Sequence, residues 1–196
     1  MARVVSELAP RSRVLDLGVG TGRELGALQD EGHDVVGLDF SPAMLAICAR
    51  RARPVPLVLA DLWSALPFDA GSFDAALALH GTLAHPPSGG ALQSLVGELA
   101  RVLAPGGVVI AEVPSPGWLD ALDADRARPA AADGRRFAAR RTGPRDFVHE
   151  DLAAGVSIGA RVIDAPQWAE AFAPHFAVRV EPISDVEQLV ACRRIG

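Results

Sequence analysis

The 196-residue sequence contains no lysine, no asparagine and no tyrosine, and all 19 of its basic residues are arginine. With alanine abundant, that bias is the mark of a GC-rich genome, so the missing lysines are no functional signal. Cys48 and Cys192 are too few for a disulfide framework or a cysteine-rich metal site. One stands in a helical and the other in a strand-like apolar pattern, and both read as buried thiols. No run of about 18 apolar residues is present to cross a bilayer. The opening MARVVSELAPRSRV has no long apolar stretch before a small-residue cleavage site, so the expected location is the cytoplasm and no membrane partner is expected. Basic residues are outnumbered by 24 acidic ones, for a net charge of -5, which leaves no sequence-wide field to gather nucleic acid. Nucleic acid is accordingly not an expected partner. Fixed-period repeats and low-complexity tracts are also missing.

The sequence is 49% hydrophobic and 22% charged, enough for one core, and residues 1–196 read as a single domain. Short apolar runs alternate with helical spacing, which points to an α/β sandwich. RVLDL at 13–17 reads as a buried strand, followed by a Gly-rich turn and a helix over 21–31 that ends at Gly32. DVVGLD at 34–39 is the second strand, and Ser41 then caps a helix with Pro42 at its first position, running to about 52. Strands are predicted at 55–60 and 73–79, and GGALQSLVGELARVL forms an amphipathic helix ended by Pro105, Gly106 and Gly107. A strand at 108–113, a helix near 165–173 and strands near 176–182 and 187–194 complete the series. Strand–helix–strand units with short connections imply right-handed crossovers. The expected fold is a three-layer Rossmann-like sandwich with a mostly parallel seven-stranded sheet and an antiparallel C-terminal hairpin.

Residues 115–164 break this rhythm: a loop, an arginine cluster (Arg135, Arg136, Arg140, Arg141, Arg145) and then added strands with period-two alternation. They read as an insertion after the fifth strand, too short to bury a core alone and placed to cover a substrate. Trp118, Phe137, Phe147 and His149 are available to shape a pocket, and the arginines to pair with a substrate carboxylate or phosphate. Nearby Asp133, Asp146, Glu150 and Asp151 make an ordinary solvated loop of alternating charge the favoured reading of the arginines.

VLDLGVGTG at 14–22 stands where the first strand meets the first helix, the usual switch point of an open parallel sheet. Gly18, Gly20 and Gly22 let a ligand approach the backbone. Asp39 ends the second strand 19 residues after Gly20, where a carboxylate accepts hydrogen bonds from both hydroxyls of a ribose. These features together point to a nucleoside ligand. The dinucleotide fingerprint would need glycine at position 23, where Arg23 stands, which weighs against a nicotinamide cofactor.

These motifs, taken in order, resemble the class I S-adenosylmethionine-dependent methyltransferases of small-molecule type through nearly the whole chain except 115–164. The resemblance implies S-adenosyl-L-methionine as cofactor and S-adenosyl-L-homocysteine as product. It implies that Asp16, Gly18, Gly20, Thr21 and Gly22 hold the methionine part, with the acid positioning its amino group. Asp39 matches the family's ribose-binding acid, and Ala60-Asp61-Leu62 its adenine-binding motif, with Phe40 and Met44 against the ring and Leu79 at the end of the fourth strand beside the cofactor. LARVLAPGGVVIAEV matches the family's helix-turn-strand before the fifth strand.

Methyl transfer from a sulfonium needs alignment and exclusion of water more than a catalytic group. A hydroxyl or protonated amine still benefits from a base. The loop after the fourth strand, which faces the transferred methyl in the family, holds His80 and His85 as base candidates, with Thr82 as a weaker contact. His80-Gly81-Thr82-Leu83 stands where amino methyltransferases of nucleobases and glutamine carry Asn or Asp, two prolines and an aromatic, so that class loses weight. Two scattered cysteines exclude arsenic methylation, and no carboxylate cluster suits a catechol-type metal, so no metal is expected. The expected activity is methyl transfer to a small-molecule acceptor, oxygen ahead of nitrogen or carbon. Family N-terminal lid helices are not expected ahead of the first strand, so the insertion or a second copy of the chain in a homodimer closes the site. The alternatives are a non-catalytic S-adenosylmethionine-binding partner subunit and a nicotinamide-dependent oxidoreductase.

Overall fold

A computed structural model describes residues 2–51, 53–125, 137–151 and 156–196. Its frame is a seven-stranded sheet of β1 (Arg13–Leu17), β2 (Asp34–Asp39), β3 (Leu57–Leu59), β4 (Phe73–Ala78), β5 (Leu103–Pro114), β9 (Phe176–Pro182) and β10 (Glu187–Arg194). The order across the sheet is β3-β2-β1-β4-β5-β10-β9. The first five strands pair in parallel, and β10 pairs antiparallel with both β5 and β9. This is the expected Rossmann-like sheet with its C-terminal hairpin, and the order reverses between β1 and β4, which opens a crevice at their carboxyl ends.

Both faces are apolar because the strands alternate between two cores. Leu15, Leu17, Ala76, Ala78, Val109 and Ala111 point to one, shared with α4 (Ala91–Val102) and α6 (Ala165–Phe172). Val14, Ala75, Leu77 and Ile110 point to the other, shared with α1 (Ala2–Ser6), α2 (Leu25–Asp30) and α3 (Pro42–Arg51). In α4 the 3.6-residue spacing buries Leu92, Leu95, Val96 and Leu99 along one stripe. Asp164 caps α6 by accepting from the Gln167 N–H at 3.0 Å, and Gln167 returns a bond to the Asp164 N–H.

Three expectations need correction. The first helix begins at Leu25 and not at 21, because residues 21–24 stay in turns. α4 ends at Val102, and Leu103 is already extended and paired with Phe73, so the Pro-Gly-Gly run lies inside the strand segment. The start of the insertion is helical, α5 (Gly117–Asp125), where a loop was expected.

The added strands are present as a separate antiparallel sheet, β6 (Phe137–Arg141), β7 (Asp146–Asp151) and β8 (Val156–Arg161). It packs with α5 through Leu119, Leu122, Phe147, Ala160 and Val162 onto Ala84, which follows β4. Arg135 and Arg136 lie outside the described residues, as does the side chain of Phe137.

Candidate active site

The turn after β1 is tied directly to the end of β2. The N–H groups of Gly18 and Val19 both donate to the Leu38 carbonyl, at 2.8 and 3.0 Å. The Gly20 N–H donates to Asp39 Oδ2 at 2.8 Å, and the Ser41 N–H donates to Asp39 Oδ1 at 2.8 Å. Asp39 therefore sets both the turn and the start of α3. Gly20 has φ +53, and a Cβ placed there would meet nothing nearer than the Gly18 carbonyl at 3.8 Å. Its left-handed backbone favours glycine, and the space above it is open. Gly22 serves a different purpose: a Cβ there would lie 2.6 Å from Cys48 Sγ, so it permits helix packing.

A cavity of about 400 Å³ opens at this point. Of the residues anticipated from sequence, it is lined by Gly18, Asp39, Phe40, Asp61, Leu62, His80 and His85. Ala60 of the expected adenine motif and Thr82, the weaker contact expected, line it too, as do Leu38, Trp63 and Ile158, the last from β8 of the added sheet. Asp16, Gly20, Thr21, Gly22, Met44 and Leu79 are not among its lining residues. Thr21 Oγ1 accepts from Arg51 at 2.8 Å, and Leu79 is buried with its carbonyl accepting from the Thr82 hydroxyl at 2.8 Å. Met44 is exposed on α3 and its N–H donates to Ser41 Oγ at 3.3 Å, the cap expected there. Asp61 Oδ1 accepts from the Trp63 N–H at 3.0 Å, so one carboxylate oxygen is engaged locally. Arg101 braces the loop beyond it by donating to the carbonyls of Phe68 and Leu66 at 2.6 and 2.8 Å.

Asp16 is buried and its Oδ2 has no hydrogen-bond partner. Burial, then the nearby Glu24 and Asp39 carboxylates, push its carboxyl up to about 8. A buried acid without a counter-charge is suited to an ammonium. The open backbone at Gly20, the Asp39 carboxylate and a volume within the roughly 300–1,000 Å³ range of ligand sites fit the rest of S-adenosylmethionine.

The two histidines are held in different ways. His80 has φ +54, and its Nε2 lies 2.6 Å from Oε1 of the buried Glu24, while its Nδ1 is 3.7 Å from Glu112 Oε2. His85 Nδ1 lies 2.8 Å from the Gly159 carbonyl, which only accepts, so in the neutral ring Nδ1 carries the hydrogen and Nε2 the lone pair. Its ring stands 5.6 Å from that of His149, which is 5.1 Å from Phe147, and Phe147 is 6.2 Å from Trp118. Burial, then the His85 charge, lowers the His149 pKa below its ordinary value.

A second cavity, about 160 Å³, adjoins the first and shares His80 and His85 with it. Glu112, Trp118, His149 and Glu187 are among its other walls. Sequence reasoning missed Glu24 and Glu112. Glu24 reads locally as an ordinary charged residue at a helix start, and nothing nearby signals a partner 56 residues away.

Of the arginine cluster, the described members Arg140, Arg141 and Arg145 are each engaged with a carboxylate. Arg140 pairs with Glu150 at 3.2 Å, Arg141 with Asp123 at 2.7 Å and Arg145 with Asp164 at 2.7 Å. None of these three lines either cavity, because cross-strand and helix–sheet neighbours supply nearer partners than a substrate would. Among the described residues no cluster of three or more His, Cys, Asp or Glu suits a metal ion, and no helix is long and apolar enough to cross a membrane.

Residues 14–107 match the model of a methyltransferase domain family. Over 110 residues the chain is 42% identical to demethylmenaquinone methyltransferase of Beutenbergia cavernae, covering 56% of this chain and 44% of that protein. Over 66 residues it is 44% identical to 18S rRNA (guanine-N(7))-methyltransferase of Bos taurus, covering 34% of this chain and 24% of that one. The chain thus spans less than half the length of these two relatives. A solved S-adenosylmethionine-dependent methyltransferase of Methanosarcina mazei shares the fold, with TM-score 0.75, 18% identity, and 100% and 98% of the two chains covered. The domain match over residues 14–107 and the shared fold make the chain similar to the S-adenosylmethionine-dependent methyltransferases.

Proposed function

We propose that the chain transfers a methyl group from S-adenosylmethionine to a small-molecule acceptor, with oxygen ahead of nitrogen or carbon. The observation that carries this reading is the adjacency of the two cavities, which share His80 and His85. The larger takes the ribose and adenine, with Asp39 on the ribose hydroxyls, and the methionine part extends past its lining to the turn of Gly18, Gly20, Thr21 and Gly22, with Asp16 meeting its ammonium. Asp61, Leu62 and Phe40 bound the adenine end, while Met44 and Leu79 support it from behind. When bound, S-adenosylmethionine supplies an activated methyl on a sulfonium and leaves as S-adenosylhomocysteine. His85 Nε2, with its lone pair fixed by the Gly159 bond, accepts the acceptor's proton as the new bond forms. His80, strapped between Glu24 and Glu112, positions the wall between cofactor and acceptor. The insertion covers the site through Ile158.

A nucleic-acid acceptor is the second reading, favoured by the likeness to the rRNA methyltransferase over residues of the shared domain. The net charge of -5 and the carboxylate-paired arginines weigh against it. Closure by a second copy of the chain is read out by sedimentation. The test of the main reading is calorimetric titration with S-adenosylhomocysteine and with NADH. Tight binding of the first alone is expected, weakened at least tenfold by Asp39→Ala, since each hydrogen bond to a charged group is worth about 1.5–3 kcal/mol. Binding of NADH alone overturns the proposal.

A further inference from the structure

The smaller cavity speaks to the nature of the acceptor, an inference that rests on the methyltransferase reading. At about 160 Å³ it is close in size to a dry cavity of about 150 Å³ that holds one benzene ring. Trp118 and His149 supply flat walls, and Phe147 backs both, 6.2 Å from one ring and 5.1 Å from the other. The indole Nε1 of Trp118 is buried without a hydrogen-bond partner. Trp168 shares that property but lines neither cavity. Among the described residues, the charged side chains that line the cavity are Glu112 and Glu187, together with three histidines, and none is an arginine.

We infer that the acceptor site takes a single neutral or cationic ring, held flat between Trp118 and His149, and rejects anionic rings through Glu112 and Glu187. The nucleophilic hydroxyl or amine sits toward His80 and His85, the residues shared with the cofactor cavity. The two carboxylates disfavour an acceptor carboxylate or phosphate by direct repulsion. Glu112 and Trp118 are thereby specificity-determining residues.

The test titrates five compounds into the full chain saturated with S-adenosylhomocysteine: 4-methylphenol, tyramine, 4-hydroxybenzoate, 4-hydroxyphenyl phosphate and 2-naphthol. The expected result is that 4-methylphenol and tyramine bind at least tenfold more tightly than the two anions and the two-ring naphthol. Glu112→Gln is expected to narrow the gap between tyramine and 4-hydroxybenzoate at least threefold. Trp118→Ala, which removes the ring wall, is expected to weaken both preferred ligands. Equal or tighter binding of the anions or of naphthol overturns the inference, and so does a loaded protein that binds none of the five. Failure to bind S-adenosylhomocysteine itself overturns the methyltransferase reading, and the inference falls with it.

Discussion

His80 Nε2 stands 2.6 Å from Glu24 Oε1, joining the loop after β4 to the residue that precedes α2. Glu24 is buried, and its charge also bears on Asp16 across the cofactor cradle. The left-handed backbone of His80, costly for a residue with a side chain, is held by this bond. Glu24→Gln keeps the shape and weakens the bond, and it is expected to lower kcat several-fold with a smaller change in KM for the cofactor. A matching loss in His80→Gln, with no further loss in the double variant, identifies the pair as one positioning unit. Additive losses contradict it.

Asp16 trades stability for binding. Its folded carboxyl sits at about 8 against an ordinary 3.8, so across that range the folded chain holds a proton that the unfolded chain has shed. Stability from this group is greatest at low pH and falls as pH rises toward 8. Asp16→Asn is therefore expected to raise the Tm of the ligand-free protein by several degrees at pH 8.5 and to change it little near pH 4. The same substitution is expected to weaken S-adenosylhomocysteine at least tenfold.

An ammonium beside Asp16 favours the ionised carboxylate. Binding of S-adenosylhomocysteine near pH 7 is expected to release up to one proton, visible as a binding enthalpy that varies with the ionisation enthalpy of the buffer. Asp16→Asn is expected to abolish that variation. A buffer-independent enthalpy in the wild type contradicts the ammonium assignment.

His149 gives the added sheet an acid sensitivity. Its pKa lies below the ordinary 6.5 because of burial and then the His85 charge, so its folded form binds fewer protons than its unfolded form. The stabilisation is complete above about pH 6.5 and is lost as pH falls below it. Hydrogen-exchange protection in β6–β8 is expected to drop at pH 5 relative to pH 7.5, and His149→Phe to remove most of the drop.

Both cysteines are buried and unpaired. Burial pushes the Cys192 thiol up to about 12, and burial followed by the Asp16 and Asp39 charges raises Cys48. Neither is expected to react with Ellman's reagent in the native protein over minutes, and both are expected to react after unfolding in guanidinium chloride. Fast native labelling of either contradicts the placement.

Much of the fold was legible because its signals are local. The Gly-rich turn, the Ser41–Pro42 cap and the alternation of apolar runs with helical spacing each lie within a few residues of what they specify, and the strands they predict are present. The cradle was legible for the same reason, since Asp39 and the turn belong to adjoining units. The histidines' partners Glu24, Glu112 and Gly159 were not, because contacts across 56, 32 and 74 residues leave no mark on local composition. α5 was missed because its proline-flanked, Asp-rich start reads as a loop, whereas Leu119 and Leu122 gain their burial only from the added sheet. The charge alternation around the arginines was legible, but not the individual partners, because charge in sequence does not show which carboxylate lies opposite across a ladder, as Glu150 does for Arg140.

The most direct measurement incubates the protein with methyl-labelled S-adenosylmethionine and a size-fractionated extract of its source. Label in the low-mass fraction, lost at least tenfold in Asp39→Ala and sharply reduced in His85→Ala, is the predicted result. Label confined to nucleic acid or protein contradicts a small-molecule acceptor, and no label from protein that binds S-adenosylhomocysteine contradicts catalysis.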